Sequence, residues 1–253
     1  MKNIALIIIV LTLSGKIFSQ NQEKDWNKPE LNTAANEAYL KKEEKEMLKE
    51  INMVRSNPKR FVQYIQALLD DAKKKLDSYG KGYKHYSLTY RTTTVNGKEI
   101  NTVDTTWHYA NEEEYKALKS LADTLKKMKA LSILKPDKGI YQAAKSFGLD
   151  NDKHKWELLH TGSDGSDPWD RICKYSPKME FGNENIAGKG SSNASVVPTP
   201  REIVIQLLID SGIPGYGHRW NMLDPRWTHA ACYSGGYKEG MHRWIQNFGV
   251  EKK

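Results

Sequence analysis

The spacing of apolar residues changes along this chain, and that change limits the folds open to it. Four of them recur at three- and four-residue intervals, as on one face of a helix: Met47, Leu48, Ile51 and Val54. Two later runs, at residues 86–95 and 100–109, are rich in Tyr, Thr and Val and flank Asn96-Gly97, a pair that favours the type I′ turn of a hairpin. A chain that must bury both patterns is predicted to be an α+β protein.

Start signals and apolar runs predict the remaining elements. Helices are expected to begin at Pro58, Asn111, Asp137 and Pro168, and a strongly apolar helix is expected around residues 203–208. Strands are predicted at residues 229–233 and 243–250. Residues 160–169 and 188–200 are rich in glycine and polar residues and are predicted to be loops.

The first residues have the layout of a secretory signal peptide. Lys2 precedes a nearly all-apolar run at residues 4–13, and small residues follow near Ser19. A run of about ten residues is too short to cross a hydrocarbon core of ~30 Å as a helix, although an uncleaved N-terminal anchor is the alternative. We therefore expect cleavage near Ser19, a polar leader at residues 20–41, a folded domain at 42–253, and a secreted or periplasmic protein without a transmembrane segment.

The chain is basic, but the distribution of its basic residues argues against a nucleic-acid partner. The formal net charge is +8, and loss of Lys2 and Lys16 with the signal peptide leaves about +6. Lysine runs such as residues 73–75 lie on predicted helices that also carry acidic residues, which is typical of a solvated helical face. Export separates the chain further from nucleic acid, so we expect an extracellular ligand instead.

The chain contains two cysteines, Cys173 and Cys232. An exported protein can keep a disulfide, and two cysteines allow one intramolecular pairing. Two free thiols are the equally ordinary alternative. In either case the domain depends on its apolar core and not on a disulfide framework.

Five short motifs follow one another in an order that resembles a known extracellular family. They are LHTGSDGS at residues 159–166, PWDRI at 168–172, NENIA at 183–187, GHRWNML at 217–223 and WIQNFG at 244–249. Together they resemble the CAP superfamily of cysteine-rich secretory proteins, antigen 5 and pathogenesis-related 1 proteins, also called SCP-like, in its compact bacterial form. The resemblance implies a three-layer α-β-α sandwich and, in our expectation, a monomer. The hairpin lies outside the usual family layout and indicates an insertion at about residues 76–128.

The resemblance also implies a polar cleft. By position, its residues are His160, Glu184, a carboxylate on the following helix and His218. The third member departs from the family pattern, in which a glutamate follows an aromatic residue. Asp210 is the nearest fit here, one methylene shorter, and Glu202 is the alternative.

Three functional hypotheses follow, of which two, ligand binding with or without a metal ion and hydrolysis, use this cleft. Two neutral imidazoles, His160 and His218, with Glu184 or Asp210 could hold zinc or another divalent cation, although no cofactor is certain. A hydrolase, an esterase or a peptidase, would need a nucleophile, and Ser163 lies close to His160 in sequence, with Glu184 to orient the imidazole. A non-catalytic binding protein is favoured, because some family members bind sterols, fatty acids or cell surfaces. A third hypothesis is an interaction module that acts through the hairpin.

Overall fold

A computed structural model describes residue 26 and residues 28–154 and 159–253. The predicted signal peptide and its cleavage site lie outside the described residues. The α-helices are α1 (Lys42–Ser56), α2 (Pro58–Phe61), α3 (Gln63–Tyr79), α4 (Ala110–Lys127), α5 (Lys138–Lys153), α6 (Pro168–Tyr175), α7 (Pro200–Ile209) and α8 (Gly217–Met222). The strands are β1 (Lys84–Val95), β2 (Lys98–Tyr109), β3 (Lys135–Pro136), β4 (Met179–Gly190), β5 (His229–Lys238) and β6 (Met241–Glu251). Short 3-10 turns occupy Pro29–Leu31 and Pro214–Tyr216.

The chain divides into two compact units. The first, called the core unit here, comprises Met1–Pro58, Lys129–Leu208 and Gly217–Lys253. The second, called the insertion unit, comprises Lys59–Met128 and Ile209–Tyr216. None of the helices within the described ranges has the length and apolar character needed to span a bilayer.

The core unit is built on a four-stranded sheet of order β3-β5-β6-β4. The β5–β6 and β4–β6 pairs are antiparallel, and the two-residue β3 joins β5 in parallel. Successive residues of a strand point to opposite faces. Gln246 of β6 contacts Met47 of α1, whereas the neighbouring Ile245 lies beside Gly148 of α5. Helices therefore cover both faces of β6, and the α+β sandwich predicted from the sequence is confirmed.

Two of the predicted helix starts, at Asp137 and Pro168, are capped by an aspartate side chain, whereas the helix expected from Asn111 begins at Ala110 without a side-chain cap. Asp137 precedes α5, and its carboxylate accepts a hydrogen bond from the Ile140 amide over 2.8 Å. Asp167 precedes α6 and forms a reciprocal capping box with Asp170, over 2.8 and 3.0 Å. Each cap satisfies backbone donors that would otherwise be unpaired at a helix N terminus.

The insertion unit contains the predicted hairpin. Strands β1 and β2 pair from Lys84 opposite Tyr109 to Val95 opposite Lys98. Asn96 and Gly97 have φ values of 50° and 75°, the positive values that a type I′ turn needs at both central residues. Helices α3 and α4 pack together beside it, with Ile65, Leu121 and Leu125 fully buried.

Strand β4 carries the NENIA motif and was not predicted as a strand. Its buried positions include Glu184 and Asn185, whose polar side chains give no apolar alternation for a sequence pattern to reveal. Residues 28–41 also differ from the expected polar leader: Leu31, Ala34 and Leu40 are buried, and Thr33 donates to Leu134 O over 2.8 Å. Packing in the core unit thus begins before residue 42.

The disulfide considered for Cys173 and Cys232 is not formed, and both thiols are free. Cys173 is exposed on α6, whereas Cys232 is buried in β5. Burial raises the pKa of the Cys232 thiol far above its ordinary value, which makes it an unreactive core residue.

Candidate functional site

The carboxylate of Glu184 is the centre of the candidate site. Strand pairing places Glu184 of the edge strand β4 opposite Asn247 of the inner strand β6, and the Glu184 side chain is completely buried. With the Asn247 amide nitrogen turned toward it, Asn247 donates to Glu184 Oε2 over 3.1 Å and accepts from the Ala144 amide over 3.3 Å. A buried charge of this kind needs a cation and further hydrogen bonds.

Arg171 of α6 supplies that cation. Its Nη2 lies 3.1 and 3.2 Å from the two oxygens of Glu184 and donates to His160 O over 2.9 Å. Its Nη1 donates to Ser166 O over 2.7 Å, and its guanidinium lies 3.8 Å above the Phe147 ring. Arg171 therefore ties helix α6 and the loop at residues 160–166 to the carboxylate on the sheet.

Arg171 was not predicted as a site residue, although it lies within the PWDRI motif. A usable signal was present. A glutamate that must be buried needs a partner with a planar, permanently charged group, and Arg171 is the one arginine within the three family motifs at residues 159–187.

His160 lies at the exposed edge of this pair. Its Nδ1 is 3.1 Å from Glu184 Oε1, and 45% of its side chain is exposed. The carboxylate accepts, so Nδ1 carries the proton in this contact and Nε2 remains as the acceptor of the neutral ring. The structure thus brings His160 and Glu184 into contact, and the carboxylate orients the imidazole through Nδ1.

His218 lies half-buried in α8 and connects to the same strand through its backbone. Asn185, the neighbour of Glu184, donates to His218 O over 3.1 Å and to Gln246 Oε1 over 3.2 Å. Asn221 in turn donates to Asn185 Oδ1 over 2.8 Å. Asn185 and Asn221 therefore hold α8 to the sheet.

The two candidates for the third acidic residue have different surroundings. Asp210 follows α7 directly, is buried, and takes a left-handed backbone conformation with φ 55°. Glu202 lies in the first turn of α7, where it accepts from the Thr199 amide over 2.7 Å and pairs with Lys189 over 3.3 Å. Burial alone would raise the pKa of Glu202, but these hydrogen bonds and this ion pair outweigh burial and lower the pKa. They also engage the carboxylate in a helix cap.

The serine proposed as a nucleophile is bonded elsewhere. Ser163 donates its hydroxyl to Asp150 Oδ1 over 2.5 Å, and its amide donates to Asp150 Oδ2 over 2.8 Å. These bonds lower the pKa of Asp150. Since the hydroxyl proton is directed at Asp150, the Ser163–His160 contact that a hydrolase would need is not made.

A depression of about 300 Å³ opens beside Arg171. Its lining combines charged and polar groups with two aromatic rings: Ser146, Phe147, Asp150, Gly162, Ser163, Asp164, Ser166, Asp170, Arg171, Lys174 and Tyr175. A volume at the lower end of the range for ligand pockets suits a small polar group or the end of a longer ligand.

Neither of the two histidines predicted for the cleft belongs to a compact set of three metal ligands in the described part of the chain. Within the described ranges, no group of three His, Cys, Asp or Glu ligand atoms lying within 4.8 Å of one another includes His160 or His218. The Glu184–His160 contact nonetheless matches the arrangement in which a carboxylate orients a metal-binding imidazole.

Comparison with known proteins gives one family and two similar structures. A profile of the cysteine-rich secretory protein family, CAP, matches residues 89–248. The chain is similar to an outer surface protein from Borrelia burgdorferi, with 19% identity over 56% of this chain and 95% of that one and a TM-score of 0.39. It is also similar to an extracellular protein containing a SCP domain from Bacillus anthracis str. Ames, with 13% identity over 71% of each chain and a TM-score of 0.37. No curated protein matches the chain.

Proposed function

Because the chain belongs to the cysteine-rich secretory protein (CAP) family, we propose that it is an exported protein. We propose further that it is non-catalytic and binds an extracellular ligand beside His160. The ligand class that the family resemblance suggests is lipid-like or sterol-like, or a component of a cell surface. The signal-peptide layout of residues 1–19 supports export.

One observation carries the proposal: a half-exposed imidazole is fixed on a fully buried, fully partnered carboxylate. Glu184 is bound by Arg171, Asn247 and His160, so it has no remaining role as a proton acceptor or nucleophile. The ring of His160 is held in one orientation before any ligand arrives. Such preorganisation reduces the entropy that binding costs and favours recognition by the exposed ring nitrogen.

The surroundings of the nucleophile candidates argue against hydrolysis. Ser163 donates to Asp150 and not to His160, and Cys232 is a buried thiol with a raised pKa. A triad needs the nucleophile, the base and the orienting acid in contact with one another. Here the acid and the base are in contact, and the nucleophile is not.

The same cleft has a partial fit for a divalent cation. We propose His160 as one ligand, through the ring nitrogen that Glu184 leaves available, and His218 as the other. When bound, the ion would supply a positive centre for an anionic or carbonyl group of the ligand. The residues of this chain would orient the imidazole and neutralise Glu184, with or without the ion.

NMR titration with zinc tests the metal component. We expect the ring resonances of His160 and His218 to shift together in the wild type and the effect to disappear in His160→Asn. His154→Asn, which removes an exposed histidine from the end of α5, is the matched control. Unchanged His160 and His218 rings at millimolar zinc would exclude the metal version.

Binding and hydrolysis are separated by a second experiment. Fluorescent fatty acids and sterols are titrated into the wild type, Glu184→Gln and the double variant His160→Ala/His218→Ala, and the same proteins are screened against esters and peptides. We expect ligand affinity to fall in both variants and no turnover in any protein. Turnover by the wild type that the double variant loses would establish the hydrolase instead.

A second candidate function is favoured by the hairpin. One face of β1 and β2 exposes large apolar side chains at alternating positions: Tyr86, Leu88, Tyr90, Val103 and Trp107. Exposed apolar patches of this kind mark contact surfaces. We expect Tyr86→Ser/Trp107→Ser to lose extracellular protein partners while retaining the fold, and an unchanged set of partners would count against this role.

A further inference from the structure

Two histidines and a glutamate meet at the base of the hairpin, in the insertion unit. His85 of β1 stands directly opposite His108 of β2, and the two rings stack with centroids 4.9 Å apart. Glu113 lies in the first turn of α4, and its Oε1 is 2.7 Å from His108 Nδ1. One ligand atom from each of the three residues lies within 4.8 Å of the others.

Strand register produces this cluster. Residues directly opposite in an antiparallel pair bring their Cβ atoms to about 5 Å, so two facing histidines can reach one ion. The chain then turns from β2 into α4 at Ala110, which returns Glu113 to the end of the strand. The cluster therefore depends on backbone geometry that the hairpin and the helix already fix.

Strand alternation places Lys84 on the other face of the hairpin. Lys84 lies over the Trp107 ring at 3.9 Å, on the face that also carries Tyr86. His85 and His108 point to the opposite face because side chains alternate along a strand. On the face with the histidines, Glu113 contacts His108 and the ring of Tyr83 stacks at 6.0 Å from His85. Farther along the strands on this face, Asp104 and Arg91 pair with each other.

One nitrogen of the cluster lacks a hydrogen bond. Among the described residues, His85 Nδ1 is buried and has no partner. A buried ring nitrogen without a partner costs free energy, and each such case requires an explanation. A cation shared with His108 and Glu113 would give that nitrogen a partner.

We propose that His85, His108 and Glu113 form a site for a divalent transition metal ion, with zinc as the best match to the ligand set. Two imidazoles and one carboxylate make three protein ligands, which leaves a fourth tetrahedral position for water. Zinc–ligand bonds of about 2.0–2.2 Å place the ligands about 3.3 Å apart. Side-chain rotations that open the contact between His108 and Glu113 and draw in His85 reach that spacing.

The ion would stabilise the insertion. Strands β1 and β2 form a sheet of two strands that is exposed along almost its whole length. An isolated two-stranded hairpin is marginally stable in water. An ion held by both strands and by α4 would fix the base of the hairpin, because binding to the folded state alone shifts the equilibrium toward it.

Cobalt(II) titration of the purified, metal-free full chain tests the site. We expect the visible d–d absorption of an imidazole-bound cobalt ion and one equivalent of metal that is lost in His85→Asn/His108→Asn. Glu113→Gln should weaken binding by more than ~10-fold, since even residues that only support a metal ligand contribute that much. Asp104→Asn, an exposed hairpin carboxylate paired with Arg91, is the matched control and should bind like the wild type.

Two further arms make the outcome decisive. His160→Asn/His218→Asn removes the proposed cleft ligands and should still bind one equivalent of metal at the hairpin. Failure at one site is therefore distinguishable from failure at the other. Hydrogen exchange of the amides at residues 84–109 should slow when zinc is added to the wild type but not to Glu113→Gln, which leaves both strands intact. Equal metal uptake by the wild type and both hairpin variants, or hairpin exchange unaffected by zinc, would overturn the proposal.

Discussion

The buried carboxylate of Glu184 depends on the guanidinium of Arg171. Their 3.1 and 3.2 Å contacts are made where both side chains are almost completely excluded from solvent. Removing one partner of such a pair leaves an uncompensated charge, which costs far more than the intact pair contributes. Arg171 also holds His160 O, so the cation links the stability of the sheet to the position of the exposed imidazole.

We predict that Arg171→Met lowers the free energy of unfolding by ~3–5 kcal/mol, because it leaves Glu184 buried and without its cation. Urea denaturation of the purified variant measures the change. Arg226→Met is the control: Arg226 pairs with Asp224 over 2.6 Å on the exposed surface, and its loss should change stability little. Equal effects of the two substitutions would contradict the role assigned to Arg171.

The cap of α5 is a second residue-scale contribution that can be measured. Asp137 accepts from the Ile140 amide and from Ser176 Oγ over 2.8 and 2.9 Å, and it pairs with Lys178 over 3.1 Å. We predict that Asp137→Ala lowers the free energy of unfolding by ~1–2 kcal/mol, as the loss of an N-cap does elsewhere. Asp137→Asn, which keeps a capping oxygen, should cost less, and thermal unfolding of the two variants compares them.

At the scale of elements, the contact between α5 and α6 requires a glycine. A Cβ at Gly139 would lie 2.3 Å from the backbone oxygen of Tyr175 and 2.7 Å from Ser176 Cβ. Backbone atoms cannot move aside as a flexible side chain can. The two helices therefore approach one another only because residue 139 has no side chain.

We predict that Gly139→Ala lowers the free energy of unfolding by ~1–3 kcal/mol through overpacking. A loss of stability would be informative, because without steric conflict alanine is more favourable than glycine in a helix by up to ~1 kcal/mol. Gly217→Ala at the start of α8 is the matched control, since a Cβ there meets nothing within 4 Å. Chemical denaturation of both variants should give opposite signs, and stabilisation by both would show that α5 and α6 can separate without cost.

The elements that could be predicted from the sequence are those specified locally. The spacing of Met47 and Ile51 and the Asn96-Gly97 turn each act within a few residues, and both α1 and the hairpin form as predicted. Strand β4 is different. Glu184 is acceptable inside a sheet only because Arg171 and Asn247 reach it from other elements, and no local pattern contains that information.

The same contrast between local and distant information applies to the residues of the candidate site. Motif order indicated His160 and Glu184, and the two side chains are in contact. The nucleophile hypothesis relied on the nearness of Ser163 to His160 in sequence. It did not anticipate Asp150, which lies 13 residues before Ser163 and accepts the hydrogen bond from its hydroxyl. Nearness in sequence within a loop does not determine which acceptor a hydroxyl faces.

At the scale of the whole molecule, buried titratable groups give two opposing pH dependences. Burial raises the pKa of Glu44 and Glu50 above the ordinary value, so protonation favours the folded state and their contribution is lost as pH rises through the folded pKa values. Burial lowers the pKa of His229 below 6.5, despite the attraction of Glu251. Burial alone would raise the pKa of Asp137, but the hydrogen bonds that it accepts from the Ile140 amide, Ser176 and Lys178 outweigh burial and lower the pKa below 3.8.

The lowered pKa of His229 predicts that the protein begins to lose stability at mildly acidic pH. The unfolded chain takes up a proton on this histidine near pH 6.5, while the buried ring in the folded state stays neutral until a lower pH. The unfolded state therefore binds more protons as pH falls below about 6.5, and the free energy of unfolding declines there. A second decline below about pH 3.8 follows from Asp137 by the same reasoning.

His229→Gln should remove the first decline and leave the second. The glutamine side chain of this variant can keep a hydrogen bond to Thr228 Oγ1, which lies 2.9 Å from His229 Nδ1 in the wild type, and it cannot take up a proton. Urea denaturation at a series of pH values between about 2.5 and 8 measures both declines, with His154→Gln as the control because that histidine is exposed. An unchanged slope below pH 6.5 in His229→Gln would place the acid sensitivity elsewhere, with Glu44 and Glu50 excluded because their contributions change in the opposite direction.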